Sequence, residues 1–318
     1  MAPITIINPD DVDHYHCTDA GLISQLINTL KSNSKIMSVI KVLVPTDFSG
    51  NSKTGIRFAL QWSSQQKIEL IFVYVFHIIR IPQLTGEDFE KSISNEKKFY
   101  QDKLEQFVKK TVRSSNLSIP KYSCIALHGV SPDISIMDYC RQRGDISFIC
   151  IGTRGAGRFK KLFGTHTGNL ISNSPVPVIA IPKNYRRSVI KTLLYATDFA
   201  KPGIEIKKVL AFARPLHAGV KMLHVSWPGD APISNELPEK KWLRRNKIDF
   251  SLMITPTNLT HPLHKDLELQ MEFLKPSIMI MFTDQKRSLF KKIFFPSNAE
   301  LLSFNTKTPL LTFKKEPS

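Results

Sequence analysis

Short continuous apolar runs alternate along the chain with longer stretches in which apolar residues recur every three or four positions. The first run, Val42-Leu-Val-Pro-Thr-Asp-Phe48, is followed by a helix-like stretch from Asn51 to Gln66 and by a second run, Leu70-Ile-Phe-Val-Tyr-Val75. Ser147-Phe-Ile-Cys-Ile-Gly-Thr153 and Val176-Pro-Val-Ile-Ala-Ile-Pro182 are two more. Apolar runs of this length without alternation mark strands buried on both faces, which a parallel sheet between two helical layers provides. Between them, Ser92 to Val112 carries Phe99, Leu104, Phe107 and Val108 at helical spacing with a charged remainder, the pattern of a long helix with one wet face.

The same order of elements then comes round again. Leu193-Leu-Tyr-Ala-Thr-Asp-Phe199 repeats the first run, Gly203 to Ala213 the first helix and Val220-Lys-Met-Leu-His-Val225 the second run. Ser277-Ile-Met-Ile-Met-Phe-Thr283 matches 147–153, Phe290-Lys-Lys-Ile-Phe294 matches Phe159-Lys-Lys-Leu-Phe163, and Thr308-Pro-Leu-Leu-Thr-Phe313 closes the second copy. The expected architecture is two copies of one doubly wound α/β unit with about five strands each. Their bounds are 37–184 and 188–318, joined near Lys183 to Ser188. Residues 1–36 lie outside the repeat. Leu22, Ile23, Leu26, Ile27 and Leu30 suit an amphipathic helix there, and a docking helix, a flexible tail and a mis-set start codon all remain open.

Length and composition narrow the class. The 318 residues are 42% hydrophobic and 22% charged, enough apolar material for two full cores and too much for a disordered chain. No apolar run reaches the roughly 18 residues of a membrane span. The first 19 residues carry four Asp and no Lys or Arg, the reverse of a secretory signal, so a cytoplasmic location is expected. Cys17, Cys124, Cys140 and Cys150 form no CxxC pair and read as reduced thiols, Cys124 and Cys150 as core fillers. The tract Asp11, Asp13, His14, His16, Cys17 lacks the fixed spacing of a metal site. The net charge of +17 is spread over both copies, a basic surface that attracts phosphates without the clustering of a specific nucleic-acid binder.

One segment carries chemistry. Six of the 14 glycines fall within 144–168: Gly144, Gly152, Gly155, Gly157, Gly164 and Gly168. Residues 149–170 run from an apolar strand through a glycine loop into a helix, so backbone N–H groups and a helix N-terminus bearing roughly +0.5 of a charge converge on one place. Thr165 or Thr167 adds a hydroxyl, His166 lies among them, and Arg154, Arg158, Lys160 and Lys161 add positive charge. The lysine pair recurs as Lys291-Lys292 without glycines, which favours a surface role for it. The P-loop pattern fails because Arg158-Phe159 stands where Lys-Ser/Thr belongs, and the dinucleotide pattern fails at Lys160. No Ser/His/Asp or Cys/His set gathers on one loop, so no catalytic residue is assigned.

Gly152-x2-Gly155 followed by Gly164-Thr165 resembles the G-x2-G-x9-G-[ST] loop of nucleotide-binding universal stress proteins, with eight residues in the longer gap instead of nine. The flanking Pro175-Val-Pro-Val-Ile-Ala-Ile181 and the opening Val42-Leu-Val-Pro-Thr-Asp-Phe-Ser49 resemble that family's last and first strands, and the repeat extends the likeness over 38–315. The resemblance implies two tandem adenine-nucleotide-hydrolase-like α/β domains, each with a five-stranded mainly parallel sheet. It also implies a stress-response role, ATP bound in the first domain with or without magnesium, at most slow hydrolysis, pairing of the two domains and further self-association. Carried over, Asp47 would meet the adenosine, Val75 the base through its backbone, and Gly152, Gly155, Gly164 and Thr165 the ribose and phosphates. The full candidate cofactor set adds Thr46, Arg154, Gly157, His166 and Thr167. The second copy keeps Asp198 but has Phe282, Lys286 and Phe295-Pro-Ser297 where the glycines and threonine stand, so no nucleotide is expected there. The alternative is a nucleotide-free interaction scaffold of the same fold.

Overall fold

The structure, a computed structural model of the chain, describes residues 5–7, 39–79, 85–117, 120–153, 165–198, 202–226, 250–257, 263–283 and 307–315. β1 (Thr5–Ile7) lies in the segment before the repeat, whose candidate helix at Leu22 to Leu30 is outside the described residues; the first half comprises β2 (Ile40–Pro45), α1 (Ser52–Ser63), β3 (Ile68–Phe76), α2 (Gly86–Arg113), β4 (Tyr122–His128), α3 (Pro132–Arg143), β5 (Phe148–Gly152), α4 (Thr165–Asn173) and β6 (Val178–Ile181). The second comprises β7 (Thr192–Thr197), α5 (Pro202–Ala213), β8 (Gly219–Ser226), β9 (Phe250–Pro256), α6 (Leu263–Leu274), β10 (Ile278–Thr283) and β11 (Leu310–Lys314).

The eleven described strands form one sheet in the order β1-β9-β8-β7-β10-β11-β6-β5-β2-β3-β4. Each half contributes a five-stranded parallel set, β6-β5-β2-β3-β4 and β11-β10-β7-β8-β9, as the doubly wound reading anticipates. The chain steps outward from β2 to β4, then returns to the other side of β2 for β5 and β6. That reversal creates a switch point between β2 and β5, with its counterpart between β7 and β10.

Strand residues alternate between two cores. Val42, Val44, Leu70, Phe72 and Cys150 face the layer of α1, α2 and α5. Leu43, Ile71, Val73 and Ile149 face α3, α4 and α6. α1 sits so deep that Ile56, Phe58, Ala59, Leu60 and Trp62 have no exposed surface. α2 is longer than its apolar pattern alone suggested. It starts where Thr85 accepts the Asp88 amide at 3.2 Å, with Glu87 and Asp88 in its first turn and Lys110 and Arg113 in its last, each suited to the helix dipole. It buries Leu104, Val108 and Val112, whereas Phe99, expected inside, is 58% exposed. α3 ends at Gly144, whose φ of +66° is the left-handed conformation that glycine adopts without penalty.

The halves fuse through their last strands. β6 and β11 pair antiparallel, Ala180 with Leu310 and Val178 with Thr312, so the sheet crosses the junction without a break. The seam is aromatic: Trp62 packs against Phe148 at 5.2 Å and Phe212 at 5.3 Å between ring centroids. The Gln65 amide bridges to the second half, donating to Ile190 O at 3.0 Å and accepting from Ile190 N at 2.8 Å. At the far end, β1 lies antiparallel on β9, Thr5 opposite Ile254 and Ile7 opposite Leu252. No helix among the described residues is long and apolar enough to cross a membrane.

Because Trp62 is fully buried at this seam, Trp62→Ala should cost about 3–5 kcal/mol. Urea denaturation followed by far-UV circular dichroism measures it, and a loss under about 1 kcal/mol would contradict the packing.

Candidate functional site

Asp47 follows the end of β2 and Gly152 ends β5, so both stand at the switch point. The register of these two strands, Val42 with Phe148 and Leu43 with Ile149, brings Asp47 level with Thr153, one residue past Gly152. Asp47 is exposed, and its carboxylate accepts the Ser49 amide at 3.0 Å, an Asx-type turn rather than a helix cap. Thr46 is buried and committed to the same turn. Its hydroxyl pairs with Ser52 Oγ at 2.8 Å and accepts the Phe48 amide at 3.2 Å, while its own amide donates to Val73 O at 2.9 Å.

Phe48 completes the turn with a φ of +61°, a left-handed conformation that costs a bulky residue ~1–2 kcal/mol. Its ring offsets this by packing on Tyr74 at 4.4 Å and Phe107 at 5.4 Å, with the Lys103 ammonium 4.9 Å above it. Burial, the Tyr100 hydroxyl and the Asp47 carboxylate together raise the Tyr74 phenol above its ordinary pKa, which ties this aromatic floor to Asp47.

Val75 lies on β3 beside the end of β2. Phe76 O accepts the Gly129 amide, so strand alternation turns the backbone groups of Val75 the other way, toward the β2 side and one step beyond Thr46. Gly152 has a reason of its own to lack a side chain. A Cβ there would lie 2.4 Å from Asn51 O and 2.9 Å from Thr54 Oγ1, and one on Gly55 would lie 2.8 Å from Gly152 N. The N-terminus of α1 therefore rests directly on the end of β5, glycine against glycine.

Arg154, Gly155, Gly157 and Gly164 lie outside the described residues, as does the side chain of Thr165. The helix that follows them, α4, begins at Thr165, and Thr167 is buried in its first turn. His166 is held by a residue that the sequence reading overlooked. Its Nδ1 donates to Asp133 Oδ1 at 2.7 Å, Ser131 Oγ donates to the same oxygen at 2.5 Å, and Asn169 Nδ2 donates to Asp133 Oδ2. Burial pushes the Asp133 carboxyl up, but the hydrogen bonds from Asn169, Ser131 and His166 outweigh it and leave the pKa at about 2. The signal was legible in Ser131-Pro132-Asp133, a helix start with Pro at the first position and an acid behind it. Through it, the start of α3 fixes the start of α4, the helix that the glycine segment leads into.

The universal stress protein family pattern matches residues 40–182. That segment, the first half of the chain, carries the universal stress protein pattern. The likeness of fold runs further. A universal stress protein from Archaeoglobus fulgidus DSM 4304 superposes with a TM-score of 0.62 at 18% identity, covering 86% of this chain and 96% of that one. A universal-stress-type protein from Pseudomonas aeruginosa UCBPP-PA14 gives 0.52 at 13%, covering 87% and 94%. A functionally unknown protein from Pseudomonas aeruginosa PAO1 gives 0.52 at 12%, covering 87% and 93%. No curated protein sequence matches significantly. The molecule is thus a tandem universal stress protein fold whose two halves share one sheet.

In the second half the corresponding strand end carries an aromatic side chain. Register pairs Ile278 with Leu193 as it pairs Phe148 with Val42, which makes Phe282 the counterpart of Gly152. Phe282 is 5% exposed and packs on Tyr195 at 5.7 Å and Phe313 at 5.2 Å. Below it, the Tyr195 hydroxyl meets Thr197 Oγ1 at 3.1 Å and donates to Glu205 Oε2. Lys315 reaches across to Asp198 at 2.5 Å and stands 3.8 Å from Glu205. Burial keeps the Glu205 carboxyl above its ordinary pKa, although Tyr195 and Lys315 pull the other way. Lys286 and residues 295–297 lie outside the described residues.

Two outcomes follow. Gly152→Ala forces a Cβ against the Asn51 carbonyl and should destabilise by about 1–3 kcal/mol in urea denaturation. Gly50→Ala, with nothing within 4 Å, should stay within about 0.5 kcal/mol. The Asp133 pKa falls on folding from 3.8 to about 2, so its stabilisation is complete above about pH 4 and lost as pH falls through 2. At ~1.4 kcal/mol per pH unit this is about 2 kcal/mol, and Asp133→Asn should flatten that limb of the stability–pH curve.

Proposed function

We propose that the first half binds an adenine nucleotide, ATP above all, in the cleft between the ends of β2 and β5. The meeting of Asp47 and Gly152 at one switch point, with α4 following β5, carries this reading, since ligands of open α/β sheets bind beyond the carboxyl ends of strands at such a point. Asp47 accepts hydrogen bonds from the ribose hydroxyls, held out by the turn that Thr46 and Phe48 shape. The backbone groups of Val75 face the base. Gly152, Gly155, Gly157, Gly164 and Thr165, with Arg154, His166 and Thr167 beside them, surround the phosphates at the positive end of α4. Magnesium accompanies the phosphates where it is present. The charge of +17 favours any polyanion. On this reading the protein is a nucleotide-responsive binding module in the cytoplasm, part of a stress response, with at most slow hydrolysis. The second half, filled by Phe282 and its own ion pairs, serves as the pairing partner of the first.

A nucleotide-free scaffold is the other reading, and the contact of Gly152 with Asn51 favours it, because that contact explains the glycine without a ligand. Adenine nucleotide released when the purified protein is heat-denatured separates the two. Calorimetry should then show one ATP per chain, weakened about tenfold or more by Asp47→Ala, as loss of a charged hydrogen bond of ~1.5–3 kcal/mol requires. A wild-type protein that releases no nucleotide and stays silent at millimolar ATP would leave the scaffold.

A further inference from the structure

Among the described residues the sheet ends at β1, three residues laid antiparallel on β9, and at β4, whose outward backbone groups form an edge. The ladder to β3 shows which groups these are. Lys121 O accepts the Leu70 amide and Gly129 N donates to Phe76 O, so the odd-numbered residues of β4 turn toward β3. Cys124 and Ala126 therefore turn outward.

A side chain occupies that central pair. Gln101, on α2, donates from Nε2 to Cys124 O at 2.7 Å and accepts the Ala126 amide on Oε1 at 3.0 Å. A residue of a neighbouring parallel strand makes the same two bonds, one to residue i and one to residue i+2. The amide is fixed by a third bond, from Nε2 to Glu105 Oε1 at 2.8 Å one helical turn on. Gln101 thus imitates, at the β4 edge, a neighbouring strand that is absent among the described residues.

We propose that Gln101 is the terminator of the sheet, and that the β4 edge it covers is otherwise a docking surface for β4 of a second copy of this chain. The molecule itself shows the mode. β6 and β11 already join two units of this fold by antiparallel edge pairing, and two β4 edges can meet the same way about a twofold axis. A strand edge whose outward groups are unmet can add a further strand, which is the hazard that a covered edge removes.

The test compares full-length Gln101→Ala and Gln101→Asn with wild type by sedimentation equilibrium from micromolar to near-millimolar concentration. Alanine suits the helix, and asparagine keeps the polarity but is one methylene too short to span both groups. Both variants should keep wild-type circular dichroism and associate about tenfold or more tightly than wild type. Hydrogen exchange at the Ala126 amide should quicken in dilute variant and slow again on association. Molar masses that follow wild type across the range, or a lowered unfolding midpoint with no gain in mass, would overturn the proposal and leave Gln101 as an internal tie between α2 and β4.

Discussion

Much of this molecule turns on how closely the start of α1 approaches the end of the strand next to its own. Gly55 and Gly152 let the helix rest on β5 with the Asn51 carbonyl against a missing Cβ. The helix enters immediately after the Thr46–Phe48 turn, so this contact also fixes where Asp47 stands. A side chain at 152 would push the helix off the strand and move the carboxylate with it. The strained Phe48 is held in place by the same seating, since its ring packs among residues of β3 and α2 beside α1.

The two halves differ at that very contact. Where the first has Gly152, the second has Phe282, packed on Tyr195 and Phe313 beside the group of Thr197, Glu205, Asp198 and Lys315. The antiparallel seam between β6 and β11 makes the two halves one continuous sheet.

The fold was legible because buried parallel strands announce themselves as continuous apolar runs, and because the runs came twice. β2, β3, β5 and β6 and their counterparts lie where those runs lie. β4 and β9 drew less notice: β4 is an edge strand with a partly polar outer side, and its burial pattern shows one fully buried residue. Phe99 misled for a physical reason, since helical spacing gives the angle of a face but not which of two apolar angles meets the sheet. Of the candidate site, Asp47 and Gly152 were singled out by their places at strand ends together with the family resemblance. The engagement of Thr46 with Ser52 and the hold of Asp133 on His166 and Asn169 were not, because both join residues whose proximity only the folded chain decides. Gln101 was invisible for the same reason; a glutamine on a charged helix looks like any solvated residue until the strand beneath it is known.

The asymmetry between the halves is the central claim, and a crystal of the whole chain grown with a non-hydrolysable ATP analogue tests it most directly. The account predicts nucleotide density in the first half, with the ribose at Asp47 and the phosphates beyond Gly152 at the start of α4, and Phe282 in place with no nucleotide beside Asp198. Density in the second half, or a first-half cleft blocked by its own side chains at saturating analogue, would contradict it.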